Sequence, residues 1–116
     1  MTPLLDGIQR HWLSISAMLL AGITLLSLWP SPPSVPGGDK LHHTLAYALL
    51  AMPAALARTG HPQILLLYLG WSGAIELIQP YVHRQGEWAD LAANASGLAL
   101  GWLLGTGIAR LAINAK

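Results

Sequence analysis

The chain has 116 residues, of which 53% are hydrophobic and 9% carry a charge, with a formal net charge of +1. An average soluble domain has about 25% charged residues, so this composition is typical of an integral membrane protein and argues against an ordinary soluble domain. Scattered basic residues at near-neutral charge exclude a nucleic-acid-binding face, and the lack of cysteine excludes disulfides, thiolate nucleophiles and cysteine-based metal sites.

The first predicted element is an uncharged apolar run over residues 12–29, with Trp12 and Trp29 at its two ends. About 20 mostly apolar residues in a helix cross about 30 Å of hydrocarbon, and tryptophan is enriched at both membrane interfaces. The run is longer than the apolar part of a signal peptide, and no small-residue cleavage site follows it. We therefore predict a retained membrane-spanning helix.

Three further apolar runs predict helices over residues 39–58, 62–79 and 88–113. Four prolines and two glycines within residues 30–38 exclude a regular helix there. Asp39 is a suitable N-cap, Pro62 suits a first helical turn and Pro80 ends the third helix. The predicted fold class is all-α: a single domain over residues 1–116 that forms a bundle of four transmembrane helices.

Basic residues predict how the bundle is oriented. In this topology Arg10, Arg58, Arg110 and Lys116 fall on one side of the membrane, and Lys40 and Arg84 fall on the other. Cytoplasmic loops carry an excess of Lys and Arg, so we predict that both termini are cytoplasmic. The inverted bundle is the alternative.

Polar residues are predicted to converge at the extracytoplasmic surface, where the second helix begins, the third ends and the fourth begins. The cluster consists of Asp39, Lys40, His43 and Tyr47 from the second helix, Glu76 and Gln79 from the third, Arg84 from the following link, and Asp90 and Asn94 from the fourth. Ionisable groups in a membrane are costly and commonly mark functional sites. The alternative is a structural staple in which these groups satisfy one another and hold the helices together.

The residue types in this cluster suit an enzyme acting on a phosphate-bearing lipid, such as a polyprenyl-linked envelope precursor or a phospholipid. His43, Glu76 and Asp90 are the candidate catalytic residues, as acids and bases or as ligands of a divalent cation. Arg84 and Lys40 would hold the phosphate. Substrate binding is also assigned to Asp39, Tyr47, Gln79 and Asn94.

Two alternatives use the same residues. In the first, the cluster binds a lipid headgroup or a cell-wall precursor without turning it over. In the second, Glu76 and His43 are titratable groups of a proton-coupled carrier, but a carrier site must be reached from both sides and this cluster lies at one surface.

Small residues recur every four positions along the fourth helix, at Ala93, Gly97, Gly101 and Gly105. Such a ridge lets another helix approach closely. We predict that it serves helix packing, either within the chain or between copies in a homo-oligomer.

Three polar blocks in this chain resemble the VanZ-like family. The blocks read D-K-x-x-H-x-x-x-Y from Asp39 to Tyr47, G-x-x-E-x-x-Q from Gly73 to Gln79, and R-x-x-E-x-x-D-x-x-x-N-x-x-G-x-x-x-G from Arg84 to Gly101. Together they span residues 39–101, so the first helix lies outside the resemblance.

The resemblance implies a small multi-span bacterial protein of the cell envelope, in the cytoplasmic membrane. The family is named for a protein associated with resistance to the glycopeptide teicoplanin. Its members are commonly described as resistance-like, without a generally assigned biochemical activity. It therefore implies a link to glycopeptide resistance and names no reaction.

Overall fold

The computed structural model describes residues 3–29, 39–57, 62–82 and 88–114. Five α-helices make up most of this part of the chain: α1 (Pro3–Arg10), α2 (Trp12–Leu28), α3 (Asp39–Leu56), α4 (Gln63–Ile78) and α5 (Trp88–Asn114). A short 3-10 helix over Gln79–Val82 follows α4. The all-α prediction is confirmed, and the four predicted helices correspond to α2–α5 with ends that differ by one or two residues, the usual scatter for helix ends.

Helix α1 is an addition to the predicted architecture. Its eight residues include Asp6 and Arg10, so it is too short and too polar to register as an apolar run. It is bent by 75° from α2. Gln9 Nε2 donates a 2.8 Å hydrogen bond to the backbone carbonyl of Leu56, one of the last four carbonyls of α3, which have no partner within that helix. Helix α1 is thereby tied to the far end of α3.

The most extensive helix pair is α3 with α5, followed by α2 with α3 and α4 with α5. A Cβ on Gly97 would collide with the Thr44 carbonyl oxygen, and one on Gly101 would collide with that of Ala48. A Cβ on Gly105 would lie 2.6 Å from the Ala55 Cβ. Because the residue numbers rise together in both helices, α3 and α5 run parallel.

The small-residue ridge of α5 therefore packs against α3 of the same chain. Ala93 belongs to the same contact, since its carbonyl accepts a 3.4 Å hydrogen bond from Thr44 Oγ1. A homo-oligomer formed through this ridge would have to displace α3, so the ridge is not a free surface for a second copy. Formation of a homo-oligomer stays a prediction.

The interior of the bundle centres on α3, with Tyr47, Leu50 and Ala51 packed against Tyr68 of α4 and Leu98 of α5. The outer faces are strongly apolar. Exposed side chains there include Leu13, Met18 and Leu25 of α2, Leu66, Leu67 and Leu77 of α4, and Leu103 and Leu111 of α5. Large exposed apolar surfaces mark contact with a membrane or another protein.

One described helix, α5, is by itself long and apolar enough to cross a membrane, over Trp88–Ala112. Helices α1 and α2 meet the same criterion as a bent pair, and the apolar part of α3, Leu41–Leu56, is shorter.

Candidate functional site

The candidate site lies at the end of the bundle where α3 and α5 begin and α4 ends. The parallel pairing of α3 and α5 brings their N-terminal turns together, and α4, which runs between residues 63 and 78, ends near the same surface through its contact with α5. The structure brings together polar side chains from all three helices here.

His43 of α3 and Asp90 of α5 form the first contact of the site. His43 Nδ1 lies 3.4 Å from Asp90 Oδ1, within ion-pair distance, and the two side chains are 17% and 5% exposed. These two atoms are buried and their mutual geometry falls short of a hydrogen bond. Since Nδ1 is buried against the carboxylate, the exposed part of His43 is the remainder of its side chain.

A buried hydrogen-bond network lies one turn deeper and joins three helices. Asn94 Nδ2 of α5 donates a 2.5 Å hydrogen bond to Ser72 Oγ of α4. The Tyr47 hydroxyl of α3 shares a hydrogen bond with the same serine. All three residues are almost completely buried. Buried polar groups that satisfy one another in this way hold helices in a defined arrangement.

Glu76 connects this network to the rim of the site. It lies one helical turn after Ser72 on the same face of α4, and it is close enough to the Tyr47 hydroxyl for its charge to act on that group. Its side chain is half-buried. Glu76 is therefore the residue of α4 that both faces the network and reaches an accessible surface.

Gln79 has a different setting from the rest of the predicted cluster. It is buried, and its Nε2 donates a 3.1 Å hydrogen bond to the backbone carbonyl of Ser27. This contact fastens the 3-10 helix to the end of α2. The described contact is structural, and a role in substrate binding stays a prediction.

Three predicted site residues cannot be placed beside the others. Arg84 lies outside the described residues. Asp39 and Lys40 belong to the first turn of α3, but their side chains also lie outside the described part of the structure. Their assignment to substrate binding stays a prediction.

The candidate metal ligands His43, Glu76 and Asp90 do not form one ligand set. Over the described residues, no group of three or more histidine, aspartate or glutamate side chains has a geometry that could hold a metal ion. The geometry instead pairs His43 with Asp90 and associates Glu76 with Tyr47 and Ser72. A divalent cation would need further ligands beyond these residues, and as a cofactor it stays a prediction.

Ser72 is the site residue that the sequence analysis missed. A serine within a strongly apolar helix is not unusual, because its hydroxyl can bond to its own backbone. The available signal was its spacing, since Ser72 lies four residues before Glu76 and thus on the same face of α4.

Comparison of the chain with protein-family models, with curated proteins and with solved structures found no match. The VanZ-like resemblance thus rests on the three polar blocks of the sequence. A fold by itself does not identify a function, so the function is argued from the geometry of the site.

Proposed function

We propose that this chain is a VanZ-like protein of the bacterial cytoplasmic membrane that crosses the bilayer four times and acts on a phosphate-bearing lipid. The reaction is hydrolysis or transfer of the phosphate group, carried out at the extracytoplasmic surface. The observation that carries this proposal is the contact between His43 and Asp90 at the same end of the bundle as Glu76.

The apolar exterior supports the membrane part of the proposal. Only 28% of the apolar window of α5 is buried inside the structure, whereas the central helix of a soluble domain is mostly covered. Helices α2, α3 and α4 have 17, 18 and 16 residues, which corresponds to about 24–27 Å each at 1.5 Å per residue. These lengths are a few ångströms short of a hydrocarbon layer of about 30 Å, and in this proposal the residues at the helix ends complete each crossing.

The His43–Asp90 pair supplies the general base. A carboxylate beside one ring nitrogen orients the imidazole ring. Nδ1 faces Asp90, which leaves Nε2 as the nitrogen that accepts a proton from a substrate or a water. In this scheme Asp90 is a positioning residue and His43 is the catalytic base.

The proposed hydrolysis uses one water molecule. His43 Nε2 removes a proton from the water as its oxygen bonds to phosphorus, and the bond from phosphorus to the lipid oxygen breaks. That oxygen takes a proton from Glu76, which starts the step protonated. Transfer differs only in that an acceptor hydroxyl replaces the water.

Arg84 and Lys40 are proposed to bind the phosphate. A guanidinium fork and an ammonium group both suit phosphate oxygens. Lys40 belongs to the first turn of α3, and Arg84 precedes the first residue of α5, Trp88, in the sequence. They would also balance the carboxylate of Asp90.

Purified protein in lipid nanodiscs, incubated with a lipid phosphate, tests this function through the release of inorganic phosphate. Removing general acid–base catalysis typically costs about 10²–10⁴-fold in rate, so His43→Ala and Glu76→Gln should each lower the rate within that range. His42→Ala and Asp6→Asn are matched controls, since they remove a neighbouring histidine and a carboxylate of α1 outside the site. Equal rates of phosphate release in His43→Ala and His42→Ala would refute the proposed enzymatic function.

A second candidate function is non-enzymatic binding, with the polar cluster serving as a staple between helices. The buried Tyr47–Ser72–Asn94 network favours it, because a substrate cannot reach side chains so completely covered. Lipid phosphate that binds without turnover, with binding lost in Arg84→Ala, would support this alternative over the enzyme.

The proposed link to glycopeptide resistance comes from the family resemblance. Expression of the wild type in a teicoplanin-susceptible bacterium should raise the inhibitory concentration of teicoplanin, and His43→Ala should not. Equal susceptibility with the wild type and with an empty vector would remove this part of the proposal.

A further inference from the structure

A groove lies between α4 and α5 beside the candidate site, with a volume of about 590 Å³. Its apolar walls are formed by Gly70, Gly73, Ala74 and Leu77 of α4 and by Trp88 and Leu91 of α5. Glu76 lines the same groove. One carboxylate is therefore shared between the groove and the polar site.

Small residues on α4 leave the groove open. A Cβ on Gly70 or on Gly73 would meet nothing within 4 Å, whereas the glycines of the α5 ridge are in close contact with α3. The two sets of glycines have opposite consequences. Those of α5 let two helices approach, and those of α4 keep space between two helices unfilled.

The length of the groove and the exposure of its walls indicate where it lies relative to the membrane. From Gly70 to Leu77 the groove follows α4 for about 10 Å at 1.5 Å per residue, roughly a third of a 30 Å hydrocarbon layer. Leu77 and Trp88 on its walls are 73% and 84% exposed, so the groove opens to the exterior of the bundle. In the proposed orientation it runs from the polar site into the outer half of the bilayer.

We propose that this groove holds the hydrocarbon chain of the lipid whose phosphate group is handled at the polar site. The inference rests on the proposed function and adds how the substrate is recognised: by an apolar chain laid along α4, with its phosphate beyond Glu76. The volume lies within the 300–1,000 Å³ range of small-ligand pockets. A helix about 10 Å wide occupies about 420 Å³ per 5.4 Å turn, so a helix from a second copy would fit for less than two turns.

The test uses a lipid phosphate that carries a photoreactive diazirine in its chain, incorporated into nanodiscs with the full-length protein. After irradiation, adducts are mapped by mass spectrometry. We expect them to concentrate on Leu77, Trp88 and Leu91 and to decrease when the same lipid without the diazirine is added.

Two variants fill the groove, and one matched variant does not. Gly73→Leu and Gly70→Leu place a side chain in the open space and should reduce groove adducts about tenfold, the equivalent of about 1.4 kcal/mol. Gly107→Leu makes the same change on α5, where a Cβ also meets nothing within 4 Å, and should leave them unchanged. Thermal unfolding of each variant shows whether the fold is retained. If one of the two groove variants does not fold, the other one is enough to carry out the test.

Several outcomes would overturn the inference. Adducts spread evenly over exposed leucines such as Leu66 and Leu103, insensitive to both groove variants, would show that the groove is not a site. Cross-links from Leu77→Cys to a second copy would show that another chain occupies it.

Phosphate release from the same photoreactive lipid separates this inference from the proposed function. Groove labelling that is lost in Gly73→Leu, in a protein that releases no phosphate from this lipid, would keep a hydrocarbon site and refute the lipid-phosphate function. Phosphate release that depends on Glu76 but is unaffected by Gly73→Leu and Gly70→Leu would keep the function and refute the groove.

Discussion

Asn94 and Ser72 are 22 residues apart in the sequence, yet the side-chain amide of Asn94 donates a hydrogen bond to the Ser72 hydroxyl in the interior of the bundle. The bond joins α5 to α4, and Tyr47 extends it to α3. The three helices thus share one polar contact, in addition to the Thr44–Ala93 and His43–Asp90 contacts that join α3 to α5. A polar contact shared between helices fixes how far each helix is shifted along its axis relative to the others, which apolar packing alone specifies weakly.

Removing the Ser72 hydroxyl should destabilise the bundle. Ser72→Ala leaves the Asn94 amide and the Tyr47 hydroxyl without this partner, and a buried unsatisfied polar group costs about 1–3 kcal/mol. Interhelical hydrogen bonds in membrane proteins average less, about 0.6 kcal/mol, so we expect a loss near 1 kcal/mol in unfolding measured in detergent.

Ser96→Ala is the matched control for Ser72→Ala. Ser96 is exposed, and its hydroxyl bonds to the Ala92 carbonyl of its own helix. Its removal should change the unfolding free energy by no more than about 0.5 kcal/mol. A loss in Ser72→Ala that is no larger than this would mean that the network does not stabilise the bundle.

The α3–α5 contact should be intolerant of one added methyl group. In Gly101→Ala the new Cβ meets the backbone carbonyl of Ala48, which cannot rotate away as a side chain would. Overpacking of this kind costs about 1–3 kcal/mol. Gly107→Ala adds the same methyl into open space and should be neutral or stabilising by up to about 1 kcal/mol from helix propensity. Similar midpoints of thermal unfolding for the two variants would contradict the close parallel pairing.

His43 and Asp90 should be energetically coupled. A double-mutant cycle with His43→Ala, Asp90→Asn and the double variant should give an interaction energy of about 0.5–3 kcal/mol, the range for residues in direct contact. The same cycle between His42 and Asp90 provides the comparison. An interaction energy for the first cycle near zero would show that the 3.4 Å contact carries no stabilisation.

The attachment of helix α1 to the end of α3 should depend on Gln9. Gln9→Ala removes the hydrogen bond to the Leu56 carbonyl, worth about 0.5–1.5 kcal/mol, and we expect faster amide exchange in α1 and in the last turn of α3. Asp6→Asn changes a neighbouring exposed residue of the same helix and should leave both unchanged. Unaltered exchange in Gln9→Ala would indicate that α1 is held by its other contacts.

The helical class and the positions of α2–α5 follow from the sequence alone. Long apolar runs separated by proline, glycine and polar residues are compatible with few structures other than a set of apolar helices joined by loops. The sequence also predicts that Asp90 and Asn94 share one face of a helix, as do His43 and Tyr47, because such pairs follow from the helical period alone. The amphipathic α1 has no comparable apolar run, and after a bend of 75° from α2 it packs against α3.

Which helix faces meet depends on how the helices pack in the folded chain. The ridge at Gly97, Gly101 and Gly105 predicts that another helix approaches closely. Glycines allow a short distance between two helix axes, but they do not identify which helix is the partner. Once α3 takes that place in parallel, His43 must lie beside Asp90. Ser72 becomes part of the site for the same reason, since a hydroxyl in an apolar helix acquires a role only when the neighbouring helices bring it partners.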